Sequence, residues 1–330
     1  MSKRVVVTGG AGFIGSHLVD LLLKENNKVT VIDNFSNGRI ENLKHHKDDE
    51  DLEIVKADIS IYDDIKNHFV DVDWVFHLAA LADIVPSIQN PLKYHNSNIN
   101  GTINVLEAAR NNDIKRFIYT ASSSCYGIPD KYPTPETAPI KPEYPYALTK
   151  YIGEQMALSW NHVYNLPVVS LRLFNVYGPR ARTSGTYGAV FGVFLAQKIN
   201  KEPFTIVGNG NQTRDFTFVT DITNGFLKAA KSNVENEAIN LGSGNTYSIN
   251  KLVELLEGES INIPKRPGEP DCTFADITKA KRLIDYNPSV SFEEGVRIMI
   301  ENIDYWKNAP VWTPEKIQIA TKDWFTYLSK

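Results

Sequence analysis

The chain has 330 residues, 42 % of them hydrophobic and 22 % charged, with a formal net charge of −4. That length supports one large domain or two interdependent ones, and the composition is that of an ordinary soluble globular protein. An acidic balance without a dense Lys/Arg run excludes a nucleic-acid footprint, two cysteines exclude a disulfide scaffold, and no apolar run is long enough to span a membrane.

Met1-Ser2-Lys3-Arg4 leads directly into a β-branched run, so a cytoplasmic protein is expected rather than an exported one. Arg4 to Thr8 is the first strand, followed by Gly9-Gly10-Ala11-Gly12-Phe13-Ile14-Gly15 and a helical pattern over Ser16 to Lys24. Strand, glycine turn and helix in that order form a dinucleotide fingerprint, here with glycines spaced G-x-x-G-x-x-G. Gly9 permits the tight turn, Gly12 lets the backbone approach a pyrophosphate, and Gly15 lets helix and strand pack closely. A second strand, Lys28 to Ile32, ends in Asp33, eighteen residues after Gly15. A carboxylate there accepts both ribose hydroxyls of NAD and repels the extra phosphate of NADP. Arg39 is near enough to leave NADP open, so NAD is the favoured cofactor and not the sole one.

Further along, His45 and His46 beside the acidic run Asp48 to Asp51 read as a solvated loop, and no metal site is expected. Leu52 to Ala57 is the third strand, with Asp58 and Ile59 at its end near the adenine. Trp74 to Ala80 is the fourth strand, whose Leu78, Ala79 and Ala80 leave room for the cofactor; His77 within it reads as a core histidine. Ile99 to Asn111 is an amphipathic helix, Phe117 to Thr120 the fifth strand and Leu166 to Phe174 the sixth. Such alternation predicts an α/β fold with a doubly wound parallel sheet, whose ligands bind outside the strands' carboxyl ends. Residues 1–175 would form the NAD-binding domain, with a stretch near 220–245 returning to it. Residues 176–330 would form a smaller, substrate-binding lobe. Its Trp306, Trp312 and Trp324 read as packing or a subunit contact rather than a ligand box.

Tyr-x-x-x-Lys occurs three times, at Tyr62/Lys66, Tyr146/Lys150 and Tyr247/Lys251. Only Tyr146 follows a strand ending in hydroxyls, Ser122 to Ser124, and Pro145 starts its helix. A phenol with an ordinary pKa near 10 needs roughly 4 kcal/mol of help to act as a base near neutrality. Lys150, one turn on, and a cationic nicotinamide are expected to supply it, with Ser122 holding the reacting oxygen. That is hydride chemistry on a C–OH group.

The stretches TGGAGFIGSH, DNFSNG, HLAA, ASSSCYG, PYALTK, LRLFNVYGPR, RDFTFVTD and KRPGEPDCTFAD resemble the extended short-chain dehydrogenase/reductase superfamily. Within it they resemble the UDP-glucose/UDP-N-acetylglucosamine 4-epimerases. The resemblance implies a Rossmann sheet, a tightly bound NAD, a UDP-sugar substrate and a homodimer built on the helix of Tyr146. It carries the catalytic roles onto Tyr146, Lys150 and Ser122, with Ser123 as the next serine to test. Phe13, Ile14, Asn34 and Phe174 become cofactor contacts. Asn175, Arg214 and Arg266 become contacts to the sugar diphosphate, Glu269 a ribose contact, and Val190, Thr205 and Val207 further substrate contacts. Related dehydratases carry Asp-Glu after the catalytic hydroxyl, where this chain has Ser123-Ser124. Thr273 falls where a bulky residue would restrict the sugar, with Cys272 as the neighbouring register, so UDP-N-acetylglucosamine/UDP-N-acetylgalactosamine is the favoured pair. A UDP-glucuronate 4-epimerase or decarboxylase, its carboxylate received by Arg180 and Arg182, stays open. So do a non-catalytic NAD-binding regulator and an NADP-dependent keto-sugar reductase.

Overall fold

Val5 and Val7 turn to one side of the first strand and Val6 to the other, and all three are buried. A strand buried on both faces belongs to the middle of a parallel sheet covered by helices. The computed structural model describes residues 2–181 and 189–329. Its main sheet has seven parallel strands: β1 (Arg4–Thr8), β2 (Lys28–Asp33), β3 (Leu52–Lys56), β4 (Trp74–His77), β5 (Arg116–Ser122), β6 (Val168–Leu173) and β7 (Glu237–Leu241). Their spatial order is β7-β6-β5-β4-β1-β2-β3, which reverses between β1 and β4. A crevice opens at such a reversal, outside the carboxyl ends of the strands.

Helices Phe13–Lys24 and Val219–Lys231 cover one face, through Leu18, Leu22, Ile222 and Phe226. Gly101–Arg110 and Pro145–Tyr164 cover the other, through Val105, Leu106 and Ala157. A separate aromatic core holds the later part of the chain. There Tyr177 stacks on Phe191 at 4.4 Å, Phe292 stacks on Tyr247 at 4.4 Å, and Trp306 is fully buried. Two-stranded ribbons link its loops, among them Phe204–Val207 with Ser260–Ile263 and Thr213–Arg214 with Tyr247–Ser248. Among the described residues no helix is long and apolar enough to cross a membrane.

The fourth strand stops at His77, three residues before the Ala80 expected from the sequence. Beyond Leu78, whose N–H still reaches the Thr8 carbonyl at 3.1 Å, the chain is captured by a side chain. Asn98 accepts from the Leu81 N–H at 2.8 Å and donates to its carbonyl at 3.0 Å. His77 is the core histidine expected, with Nδ1 2.7 Å from the Thr8 hydroxyl and Nε2 2.9 Å from the Thr102 hydroxyl. Burial pushes its pKa down to about 3.

Candidate active site

A cleft of about 710 Å³ runs across the strand ends, within the range of ordinary ligand sites. The glycine turn forms its floor. Gly9 has φ +71°, and a Cβ on it would stand 2.7 Å from the Ala79 nitrogen; a Cβ on Gly15 would strike the Gly9 carbonyl. Both positions therefore require glycine. Helix Phe13–Lys24 starts here with no side chain capping its first amides, which leaves an anion-binding helix end beside the turn. Asp33 accepts from the Ala11 N–H at 3.0 Å and the Phe35 N–H at 2.8 Å. Burial raises its pKa, and those two amides pull it back. The Arg39 guanidinium lies 4.6 Å over the Tyr305 ring. Asn34, Ile59, Leu78, Ala79 and Ala80 line the same end. Asp58 does not: it accepts from Asn34 Nδ2 at 2.9 Å and so supports a lining residue from behind. This wall has the glycine cradle, the open amides and the carboxylate that a dinucleotide needs.

Tyr146 lines the cleft beside Ser122 at the end of β5. Ser122 Oγ in turn accepts from Ser124 N–H at 3.2 Å and from Ser124 Oγ at 2.9 Å. Ser123 opens the single turn Ser123–Tyr126. Burial raises the Tyr146 pKa, the Ser122 hydrogen bond lowers it, and the Asp83 carboxylate and Cys125 thiol raise it further. Lys150, one turn on, is buried. Its Nζ lies 4.5 Å over the Tyr119 ring, and burial lowers its pKa to about 7, against the pull of Glu154. The hydroxyl of Ser122 favours the Tyr146 phenolate. Glu154, one turn further on, forms a buried pair with Arg172 of β6 at 2.6 and 2.9 Å, which pins the tyrosine helix to the sheet.

The other two Tyr-x-x-x-Lys pairs lie elsewhere. Lys66 bonds Asp63 at 2.5 Å, while Lys251 bonds Glu254 at 2.9 Å and Tyr247 stacks in the second core.

Asn175, Val190, Thr205, Val207, Arg214, Arg266 and Glu269 meet on the opposite wall. Glu269 pairs with Arg214 at 2.8 Å and faces Arg266 at 3.7 Å, while its Oε2 is buried without a hydrogen bond among the described residues. Phe174 and Thr273 stand behind this wall rather than on it. Phe174 packs against Tyr126 at 6.3 Å, and the Thr273 hydroxyl donates to Asn175 Oδ1 at 2.6 Å. Thr273 therefore orients Asn175. Arg180 lines the cleft but is held by Asp20 at 2.5 Å and by the Asn42 carbonyl; Arg182 lies outside the described residues.

Sequence reasoning missed three features of the site. His45 and His46 are not simply solvated: both reach Asp20 Oδ1, at 2.8 and 2.9 Å, and that shared carboxylate also holds Arg180. The three could together ligate a metal, although Arg180 already neutralises the carboxylate. Trp312 and Trp324 line the cleft rather than mediating packing alone. The Trp324 indole donates to the Pro267 carbonyl at 2.7 Å and lies 5.4 Å from the Arg266 guanidinium. Asp83, three residues past the expected end of the fourth strand, brings an acid beside Tyr146 that Ser123-Ser124 do not. Its signal was a carboxylate between a strand end and the helix Ile84–Gln89.

A family model described as GDP-mannose 4,6 dehydratase matches residues 6–299. The chain is 36 % identical over 313 residues to UDP-glucuronic acid decarboxylase 2 of Arabidopsis thaliana, covering 91 % of this chain and 68 % of that one. In structure it is similar to a UDP-N-acetylglucosamine 4-epimerase from Methanobrevibacter ruminantium M1, in complex with UDP-N-acetylmuramic acid. The TM-score is 0.87 and the identity 37 %, with 92 % and 98 % of the two chains covered. It is likewise similar to a UDP-glucuronic acid 4-epimerase from Bacillus cereus in complex with UDP-glucuronic acid and NAD. There the TM-score is 0.85 and the identity 33 %, covering 91 % and 99 %.

Proposed function

Because the chain belongs to the extended short-chain dehydrogenase/reductase superfamily, in its branch of nucleotide-sugar epimerases and dehydratases, we propose that it is an NAD-dependent 4-epimerase of a UDP-hexose. The favoured pair is UDP-N-acetylglucosamine/UDP-N-acetylgalactosamine. The observation that carries the reading is Tyr146, beside Ser122, in one cleft with the glycine turn and the Arg214–Glu269–Arg266 cluster.

Gly9, Gly12, Gly15 and the amides of Phe13 and Ile14 would hold the pyrophosphate of NAD, and Asp33 its adenosine ribose. When bound, NAD would supply reversible hydride transfer at the sugar C4, with no net redox change over the cycle. The chain's own part is proton handling and grip. Tyr146 takes the C4 hydroxyl proton while Ser122 hydrogen-bonds the same oxygen, and Tyr146 gives the proton back after the keto sugar has turned about its diphosphate. Arg214 and Arg266 hold that diphosphate with planar forks that match phosphate oxygens. Glu269 Oε2, which has no hydrogen bond among the described residues, would accept the uridine ribose hydroxyls. Residues up to about 175, with the returning segment that supplies β7, serve the cofactor, and the rest serve the substrate. A homodimer would use the outer face of the tyrosine helix, where Leu148 and Val163 are 45 % and 58 % exposed.

The runner-up is a UDP-glucuronate 4-epimerase or decarboxylase. Against it stands Arg180, whose charge is engaged by Asp20. NMR of products from UDP-N-acetylglucosamine and UDP-glucuronate, with no cofactor added, separates the two. Interconversion of the N-acetylhexosamines with the total sugar conserved is expected. Turnover of only the acid, or a 4-keto-6-deoxy product, would sink the favoured reading.

A further inference from the structure

The turn that follows β5 aims two donors of one residue at the serine beside Tyr146. Ser124 N–H donates to Ser122 Oγ at 3.2 Å, and Ser124 Oγ donates to it at 2.9 Å. The amide bond alone caps the turn Ser123–Tyr126, which Ser122 precedes in extended conformation. The second donor is therefore surplus to the local fold. A hydroxyl offers one proton and two acceptor lone pairs. With both lone pairs of Ser122 engaged by Ser124, its proton is the part left to act toward Tyr146 and the cleft. Ser124 itself stands behind Ser122 and does not line the cleft. Tyr144 adjoins it: burial raises the Tyr144 pKa, the Ser124 hydroxyl lowers it, and the Tyr144 ring stacks on Tyr146 at 6.4 Å.

We infer that Ser124 is a positioning residue of the proton relay: by occupying both acceptor sites of Ser122, it makes Ser122 a donor to whichever oxygen beside it, that of Tyr146 or of the sugar, carries the negative charge. The inference rests on the 4-epimerase reading and deepens it. The direction of the chain follows from charge. A phenolate only accepts, so Ser122 must donate to it. Ser124 then donates to Ser122, and the Tyr144 phenol is placed to donate to Ser124. Hydrogen bonds aligned head to tail polarise one another, and the last of them, made to an anion, gains most. Ser124 touches neither the substrate cleft nor Tyr146 through these bonds, so its whole effect passes through the Ser122 hydroxyl.

The test compares the native NAD-bound protein with Ser124→Ala, Ser124→Thr and Ser124→Cys, all of which keep the amide that caps the turn. Ser124→Ala is expected to lower kcat at pH 7 by roughly tenfold, the scale of one hydrogen bond, with UDP affinity unchanged. The acidic limb of the kcat/KM profile should move up by about one pH unit, because a less polarised Ser122 favours the phenolate less. The other groups near Tyr146 stay in every variant: Asp83 and Cys125, which raise its pKa, and Lys150 on its own helix. Ser124→Thr restores the hydroxyl and should recover most of both losses. Ser124→Cys keeps the size with a weak donor, and it takes the place of the alanine variant if that one fails to fold. In a Ser122→Ala background, Ser124→Ala should cost nothing further. A folded variant lacking the hydroxyl with unmoved kcat and limb, or a full second loss in the double variant, overturns the inference. If the native protein epimerises no nucleotide sugar, the epimerase reading fails while the role of Ser124 is still decided. Ultraviolet titration of the phenolate signal that Tyr146→Phe removes then reads the shift directly, and a signal that Ser124→Ala leaves in place overturns the inference.

Discussion

The two walls of the cleft are built in opposite ways. The cofactor wall is mostly backbone: a glycine turn, uncapped helix amides and strand ends that follow one another within the first eighty residues. The substrate wall is mostly side chain, drawn from Asn175, Arg214, the Arg266–Glu269 turn and a C-terminal tail, with its charges paired in advance. A wall made of backbone is specified by local sequence and tolerates few substitutions. A wall made of paired side chains is specified by tertiary contacts, and one substitution there changes preference before it changes the fold. Tyr146 stands where the two meet.

The sharpest way to probe that junction is Tyr146→Phe. The ring stays and the hydroxyl goes, so NAD and UDP should bind as before while kcat falls by about 10²–10⁴, the scale of a positioned acid–base group. Single-turnover kinetics read the loss; unchanged kcat would mean that the two walls meet at some other group. The next largest effect lies behind the cofactor wall. Glu154→Ala leaves the Arg172 guanidinium buried without its carboxylate. Breaking a buried pair from one side costs about 3–5 kcal/mol. Denaturant unfolding should show that loss, and a change below about 1 kcal/mol would mean the pair does not anchor the tyrosine helix.

His77 offers a milder probe of the same wall. Its pKa is about 3 in the folded chain against 6.5 ordinarily, so between those values the unfolded chain binds a proton that the folded chain refuses. Stability is therefore lost as pH falls through this window, and at pH 5 the loss from this group is about 2 kcal/mol. Urea midpoints at pH 7 and pH 5 should fall further apart in the native protein than in His77→Gln. His17, lowered to about 4 mainly by burial, pushes in the same direction and remains in both proteins.

The contrast between the walls also explains what could be read from the sequence alone. Gly9, Gly15 and Asp33 were legible because their demands are local: a left-handed φ, a close approach and a carboxylate at a strand end. Tyr146 was legible once Ser122 chose among three identical spacings. Asp58, Phe174 and Thr273 were placed near the ligands but stand one layer back, a difference of a few ångströms that no spacing encodes. Asp20 was invisible as the partner of His45 and His46 because it lies more than twenty residues before them and meets them only when helix Phe13–Lys24 packs on the turn Ile40–His46.

The tail gives the smallest expected effect and the most selective one. Trp324 touches the substrate wall through three contacts: its N–H to Pro267, its ring face near Arg266, and a tilted approach to the Tyr144 ring at 6.5 Å. None of these reaches the glycine turn or Asp33. A cation over an indole in a partly desolvated site is worth about 1–2 kcal/mol. Trp324→Ala should therefore weaken UDP and UDP-sugar binding by roughly tenfold through a less ordered Arg266. Trp324→Phe keeps a ring face and should recover much of the loss, although it cannot donate to Pro267. NAD affinity should be unchanged in both variants, as should kcat at saturating substrate. If NAD affinity falls together with UDP affinity, the tail supports the whole cleft, and the two walls are not independent.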